Sequence, residues 1–543
     1  MHISNISTWR RAECWGFFLI VIGLIVLTTL PYILLFLYTP AGQIYSWTTF
    51  LNPGDNYVYY SYIDQVKSGS FLVNNLYTNE ITKPTLQLFW LLVGLVARIF
   101  QADPVIIFHV FRLLLIPVFV FGMNACMQIF IPNWRQRILA LVIFFFTSGL
   151  GWLYILFKPL FWIHNEWQNV PFDILSTDAF PFLSVLASPH FMFSWVCLIY
   201  ALTYSYLAFQ KLNTHDAFFG GLFSLLLFLI HPFFIPLVYL IVSLYTVLQY
   251  FRNKKNKIKI LKNYLILFFL PLPAVGYYVY LFFFDWITQI RTMQNLLISP
   301  KPSITLLSFG IIIVFAILGV RDQYKKSEQK QLLFFLSIWI GIVMIMLYIP
   351  FLWQRRFVEG WYFPLVILAS YGIWFVKENV IFKKSFSFKY IIFVFISVLL
   401  VFSNLMVLFL NQNFYRQKIF RLYYVSDDFL QMTNYIKNNT GQDAIFLLND
   451  EIGFMTFPYF GNRKEYVGHI VESVYVHNKT QRLRWFFGTE GSPQTKYDFL
   501  RAEGIDYIIY NSEADNLNIY KPEISNNLQL NFTSGNYSLY EVL

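Results

Sequence analysis

Long apolar runs alternate with short polar stretches through the first three quarters of the chain. A bilayer-spanning helix needs about 20 apolar residues. Runs of that kind fall at roughly 16–38, 105–130, 138–157, 189–210, 216–232, 234–250, 263–283, 303–319, 332–351, 362–376 and 390–410, so the pattern predicts about eleven transmembrane helices. One further apolar piece, Pro84 to Phe100, is short, and the basic residues decide its placement. Lys and Arg favour cytoplasmic loops. If this piece does not cross, the cytoplasm receives Arg10/Arg11, Arg135/Arg137, Lys211, the Arg252–Lys259 run, the Arg321–Lys330 loop and the Lys377–Lys389 loop. If it crossed, every later basic loop would face outward. We therefore expect residues 84–100 to form an interfacial or re-entrant helix on the outer side. The N-terminus is then cytoplasmic and everything after residue 411 extracytoplasmic, in a multi-pass protein of the plasma (inner) membrane.

From about residue 412 the apolar runs give way to shorter, mixed periodicities. Asp427–Asn438 reads as an amphipathic helix and Ala444–Leu448 as a buried strand; Lys496–Glu503 reads as a second helix and Ile505–Tyr510 as a second strand. Alternating helix and strand predicts a small α/β domain. The expected organisation is an all-α transmembrane domain over 1–411 and a soluble extracytoplasmic domain over 412–543. The tail has no GxGxxG or phosphate-loop pattern that would mark a nucleotide site.

Composition narrows the class. Of 543 residues, 57% are hydrophobic and 13% charged, against about 25% charged in soluble domains. The formal charge of +11 does not point to nucleic acid. Residues 1–411 hold 28 Lys/Arg against 14 Asp/Glu, and residues 412–543 hold 12 against 15, so the excess belongs to the membrane loops. Cys14, Cys126 and Cys197 lie in or beside apolar runs and have no disulfide or zinc spacing. The apolar run after Arg10 and Arg11 is too long for a signal-peptide core and reads as an uncleaved first span.

Candidate chemistry gathers in the outer loops. Pro53–Gly69 opens on Pro-Gly and closes on Ser-Gly, so its middle reads as a short helix. Helical spacing puts Asp55, Tyr59 and Tyr62 on one face. Asp55 also suits a helix N-cap; as a functional group it is a general base at a lipid-facing cavity. Lys83 is either an interfacial anchor or a phosphate ligand. Arg112, inside an apolar run, is a site candidate by default. Asp178 and His190 lie in the second outer loop, and His231 at the outer end of a span. Arg355 and Arg356 face the side that should be poor in positive charge; they suit a lipid phosphate, or a pair with Glu359. Asp55 with Asp178 is a candidate oxygen-ligand site for a divalent cation, although nothing in the sequence requires a cofactor.

An outward carboxylate with outward cations fits sugar transfer from a polyprenyl phosphate. The phosphate leaves as an anion that needs cationic stabilisation, and one base activates the acceptor, whether a glycan, a lipid or a protein. The residues Gly54-Asp55-Asn56-Tyr57, Lys83-Pro84 and Arg112 resemble the GT-C superfamily of polytopic membrane glycosyltransferases, which includes protein O-mannosyltransferases and lipid A aminoarabinose transferases. The Ser188-Pro189-His190-Phe191 element and the α/β tail are similar to bacterial members. The resemblance implies an inverting transfer from a polyprenyl-phosphate sugar, with Asp55 as catalytic carboxylate and Lys83 near the donor phosphate. Protein mannosyltransferases carry Asp-Glu where this chain has Asp55-Asn56. The oligosaccharyltransferase signature Trp-Trp-Asp is absent, and the tail offers Trp485-Phe486-Phe487-Gly488. Two other readings use the same features. A transporter or flippase of lipid-linked glycans would show related, Gly/Pro-broken halves, which the chain lacks. A surface-polysaccharide polymerase or ligase shares the donor chemistry.

Overall fold

A computed structural model describes residues 11–49, 51–157, 170–326, 330–379, 399, 401–410, 422–450, 453–514, 522 and 527–543. The chain divides into two units. One comprises Met1–Leu30, Phe111–Val279 and Leu296–Leu410; the other comprises Pro31–Val110, Tyr280–Asn295 and Asn411–Leu543.

Six helices among the described residues are long and apolar enough to cross a membrane: Arg11–Leu37, Pro104–Phe130, Trp134–Phe157, Pro189–Lys211, Phe234–Arg252 and Pro302–Tyr324. Lys257–Phe269 and Leu272–Phe284, bent by 42°, make a seventh if taken together. Sequence patterning expects eleven, and the difference lies with four runs. Thr214–Ile230 and Lys330–Met346 have 17 residues each. At 1.5 Å per residue that is about 25 Å, below the ~30 Å of the hydrocarbon core. Tyr362–Asn379 is buried at every position from Tyr362 to Gly372, so its apolarity serves protein packing. The expected span 390–410 falls largely outside the described residues; its described end is the helix Val401–Leu410. The Lys377–Lys389 loop and Arg10 likewise lie wholly or partly outside them.

Close packing in the first unit depends on small residues. Pro302–Tyr324 and Tyr362–Asn379 approach until a Cβ on Gly319 would run into Leu368 O, and one on Gly372 into Phe315 O. Backbones meet this closely only where both surfaces lack side chains. The Trp134–Phe157 span is broken between Trp134–Phe146 and Gly151–Phe157. At the break the Asp173 carboxylate accepts the Gly149 and Gly151 N–H groups, at 3.1 and 2.9 Å. These donors lack helical partners and would otherwise be buried unpaired.

The second unit joins the segment after the first long helix to the tail. Strand β1 (Gln43–Tyr45) pairs antiparallel with β2 (Tyr424–Ser426). A five-stranded sheet follows, with β3 (Ile445–Leu448), β4 (Lys464–Glu465), β5 (Tyr507–Asn511), β6 (Leu528–Ser534) and β7 (Tyr537–Val542) in the order β4-β3-β5-β7-β6. β3 runs parallel to β4 and β5; β7 is antiparallel to β5 and β6. Helix Asp427–Asn439 starts where Ser426 accepts the Phe429 N–H, with Asp427 and Asp428 in its first turn and Lys437 in its last. All three charges favour the helix dipole. Phe429, Met432, Thr433 and Ile436 share its buried face, the spacing of an amphipathic helix. The tail elements thus follow the sequence pattern to within a few residues. The expected boundary at 412 does not isolate them, because the same unit takes in residues 31–110 and 280–295.

Helix Leu88–Phe100 has 13 residues, about 20 Å, too short to span. Phe89, Trp90, Val93 and Ala97 are buried, and a Cβ on Gly94 would lie 2.5 Å from Val66 Cβ of helix Pro53–Lys67. Leu92, Ile99 and Phe100 are exposed. One buried and one exposed apolar face at this length is the form of an interfacial helix.

Candidate active site

Helix Pro53–Lys67 fixes the first group. Asn52 sits at its N-cap with φ 54°, Pro53 takes the first helical position, and Asp55 falls in the first turn. Asp55 is therefore not the cap that the Pro-Gly context also allows. Its carboxylate turns outward to the tail, where Oδ1 lies 2.9 Å from His469 Nε2. Gly54 makes room for this approach: a Cβ there would lie 2.9 Å from Met455 Sδ and 3.2 Å from His469 Cδ2. The Asp55 side chain is 27% exposed and that of His469 7%. His469 Nδ1 accepts the Val471 backbone N–H at 3.3 Å.

Two turns along the same face, the Tyr62 hydroxyl donates to Glu472 Oε2 at 3.3 Å. Glu472 also pairs with Arg291, its carbonyl accepts from Asn75 Nδ2 at 2.8 Å, and Ser473 Oγ donates to Tyr77 O at 2.7 Å. Burial, and Glu472 beside it, push the Tyr62 hydroxyl far up, so it stays a donor. Residues 469–473 thus bind both ends of the predicted face. Tyr59, on the same helix, stacks on Trp90 with centroids 4.4 Å apart and planes at 19°. Lys83 is exposed, with Nζ 3.3 Å from Phe284 O and 5.8 Å from the Tyr280 ring centroid.

A second group forms within the first unit. Arg356, on the short turn Gln354–Val358, donates to Asp178 Oδ2 at 3.0 Å and lies over the Phe233 ring. His231 Nδ1 lies 2.8 Å from Ser194 Oγ and 3.7 Å from Glu359 Oε2. His190 Nδ1 is 2.7 Å from Ser188 Oγ, and the two imidazole centroids are 5.4 Å apart. The structure therefore brings Asp178, His190, His231 and Arg356 together, as a group that the sequence named singly. The sequence offers Glu359 as an alternative partner for the Arg pair; the ion pair at Arg356 is made with Asp178. Burial pushes the Glu359 carboxyl well above its ordinary range, so it is the poorer counter-ion. Arg355 is half-buried, and its backbone N–H donates to Leu297 O at 3.0 Å.

Arg112 departs from expectation. It is 1% exposed and donates to Thr28 O, Thr28 Oγ1 and Thr29 Oγ1 at 3.2–3.4 Å. Its guanidinium ties two helices, which speaks against a phosphate role. Asp178 already holds a guanidinium, and no group of three His, Cys, Asp or Glu gathers among the described residues. His469, Glu472 and Arg291 were not singled out by sequence. They are lone polar residues in irregular or short amphipathic segments, and no spacing signal links them to Asp55 or Tyr62.

No protein-family model matches the chain, and no curated protein matches it by sequence. Solved structures do. Over 91% of its length the chain is similar to the archaeal oligosaccharyltransferase AglB from Archaeoglobus fulgidus in complex with an inhibitory peptide and a dolichol-phosphate, at TM-score 0.53 and 11% identity, covering 69% of that chain. The apo form of the Archaeoglobus fulgidus oligosaccharyltransferase gives TM-score 0.53 at 11% identity over 91% of this chain and 70% of that one. The form tethered to an acceptor peptide with the NVT sequon matches at 0.53 and 11%, over 91% and 69%. At this identity the likeness establishes architecture: the chain has a GT-C-like polytopic membrane fold with a small α/β region at its C-terminal end.

Proposed function

We propose that this protein is a membrane glycosyltransferase that moves a sugar, with inversion, from a polyprenyl-phosphate donor to a glycan, lipid or protein acceptor. The observation that carries the reading is Asp55: a partly exposed carboxylate at the head of a buried helix in the first outer loop, held by His469. It stands in a fold similar to that of an enzyme whose structures contain dolichol-phosphate and an acceptor peptide. The reaction takes place at the extracytoplasmic face of the plasma membrane, with the N-terminus cytoplasmic and residues 412–543 outside.

Asp55 accepts the proton of the acceptor hydroxyl as that oxygen bonds to the anomeric carbon. The bond from this carbon to the phosphate oxygen breaks, and its electron pair leaves with the lipid phosphate. A phosphate leaving group needs no proton, so a second carboxylate is not required, unlike glycoside hydrolysis. Lys83, exposed beside an interfacial helix and in the same unit as Asp55, supplies positive charge to the departing phosphate.

The reading is tested with labelled polyprenyl-phosphate sugars and purified protein in lipid nanodiscs. Asp55→Asn should lower turnover by about 100-fold or more, the range for loss of a general base, while the protein remains folded. Undiminished turnover by this variant rules Asp55 out as the base.

A further inference from the structure

The loop after β4 reaches the proposed base through a single side chain, and its hydrogen bonds fix how that side chain acts. His469 Nδ1 lies 3.3 Å from the Val471 backbone nitrogen. A backbone N–H can only donate, so Nδ1 is the acceptor and carries no proton. In a neutral imidazole the proton then sits on Nε2, the atom 2.9 Å from Asp55 Oδ1. This bond uses one of the two Asp55 oxygens. The loop itself cannot drift, since Glu472 is held by Arg291, Tyr62 and Asn75, and Ser473 by Tyr77.

We propose that His469 is a positioning residue for transfer: as a neutral Nε2–H imidazole it donates to Asp55 Oδ1, fixes the rotation of the carboxylate and leaves Oδ2 to receive the acceptor proton. This inference rests on the reading of Asp55 as base. It also assigns the tail a part in the chemistry, because the orienting group comes from the far end of the sequence. His469 neither gains nor loses a proton in the reaction. Its contribution is geometric, and it acts only through Asp55.

The test uses the full chain in lipid nanodiscs, with tritiated polyprenyl-phosphate mannose, glucose and aminoarabinose offered in parallel. His469→Ala should lower kcat by about 10- to 100-fold, the worth of one hydrogen bond to a charged group, with KM within about twofold of wild type. His469→Gln places an amide N–H near the position of Nε2 and should recover most of the loss. In an Asp55→Asn background His469→Ala should add nothing, because a group that acts through Asp55 has no effect once the base is gone. In parallel, nitrogen-15 spectra of histidine-labelled wild type should show a ring signal of the Nε2–H tautomer that is absent from His469→Gln.

Wild-type kcat in His469→Ala, a Gln variant as slow as the Ala variant, or a further loss on top of Asp55→Asn each overturn the positioning role. So does an Nδ1–H or doubly protonated ring at position 469. Full activity of Asp55→Asn would instead sink the base assignment. Should none of the three donors be used, the tautomer at position 469 still decides the inference.

Discussion

Replacing Glu465 by Gln should make the protein more stable near neutral pH and leave it almost unchanged near pH 4. Glu465 lies on β4 and is fully buried. Neither carboxyl oxygen finds a hydrogen-bond partner among the described residues, and Gly468 lies directly against Oε1. Burial therefore pushes the carboxyl well above its ordinary 4.5. The sign follows from the two states. Above pH 4.5 the unfolded chain gives up this proton while the native chain keeps it, so stability falls as pH climbs from the unfolded value towards the native one. For one proton the slope is about 1.4 kcal/mol per pH unit. Gln has nearly the same shape and no proton to release, so this slope disappears in the variant. Between the unfolded and the native value, wild type should fall behind Glu465→Gln by ~1.4 kcal/mol for each pH unit, or roughly 3–6 °C in Tm. Thermal unfolding in nanodiscs from pH 4 to pH 7, followed by tryptophan fluorescence, measures the gap. A difference in Tm that stays constant with pH, or one that shrinks as pH rises, refutes a buried protonated carboxyl at this position.

Two further substitutions probe packing and charge. Asp178→Asn removes the carboxylate facing Arg356, whose side chain is 22% exposed; breaking a buried pair costs about 3–5 kcal/mol, and the partial exposure reduces this to about 2–3. Scanning calorimetry should register the loss, and Asp178→Asn combined with Arg356→Met should recover part of it; equal Tm in wild type and the single variant would discard the pair as a stabilising contact. Gly94→Leu forces side-chain atoms against Val66 and should cost about 1–3 kcal/mol by overpacking, with a smaller effect for Gly94→Ala; an unchanged Tm for the Leu variant contradicts the close seat of helix Leu88–Phe100 on helix Pro53–Lys67.

What could be read from sequence was local. Apolar runs marked the helices, because a chain in lipid must satisfy its backbone within each segment. The Pro-Gly opening and the 3.6-residue spacing set out the Asp55 helix and its Tyr62 face. The tail helices and strands followed from their own periodicity. Pairings across long separations were not legible. Tyr62 and Glu472 are 410 residues apart, and no pattern in either segment specifies the other. Arg112 shows a second limit: an intramembrane guanidinium marks a place where polar groups must gather, but Thr28 and Thr29 are ordinary residues in an apolar run. Arg356 shows a third. Its nearest acidic neighbour in sequence is Glu359, yet burial weakens that residue as an anion and Asp178 takes the charge.

The outer flank of β4 has a consequence for biosynthesis. Glu465 N–H donates to Leu76 O at 3.0 Å, and Val467 bridges Thr78, so a piece of the first loop seals one margin of the five-stranded sheet. A ribosome adds Leu76 long before it adds Glu465, and in the meantime the early segment has no sheet to join. Its exposed amides and carbonyls are then open to adventitious strand pairing. The nascent protein passes most of its translation with the Asp55 helix lacking its imidazole partner, and the seam closes only when residues 464–473 have emerged.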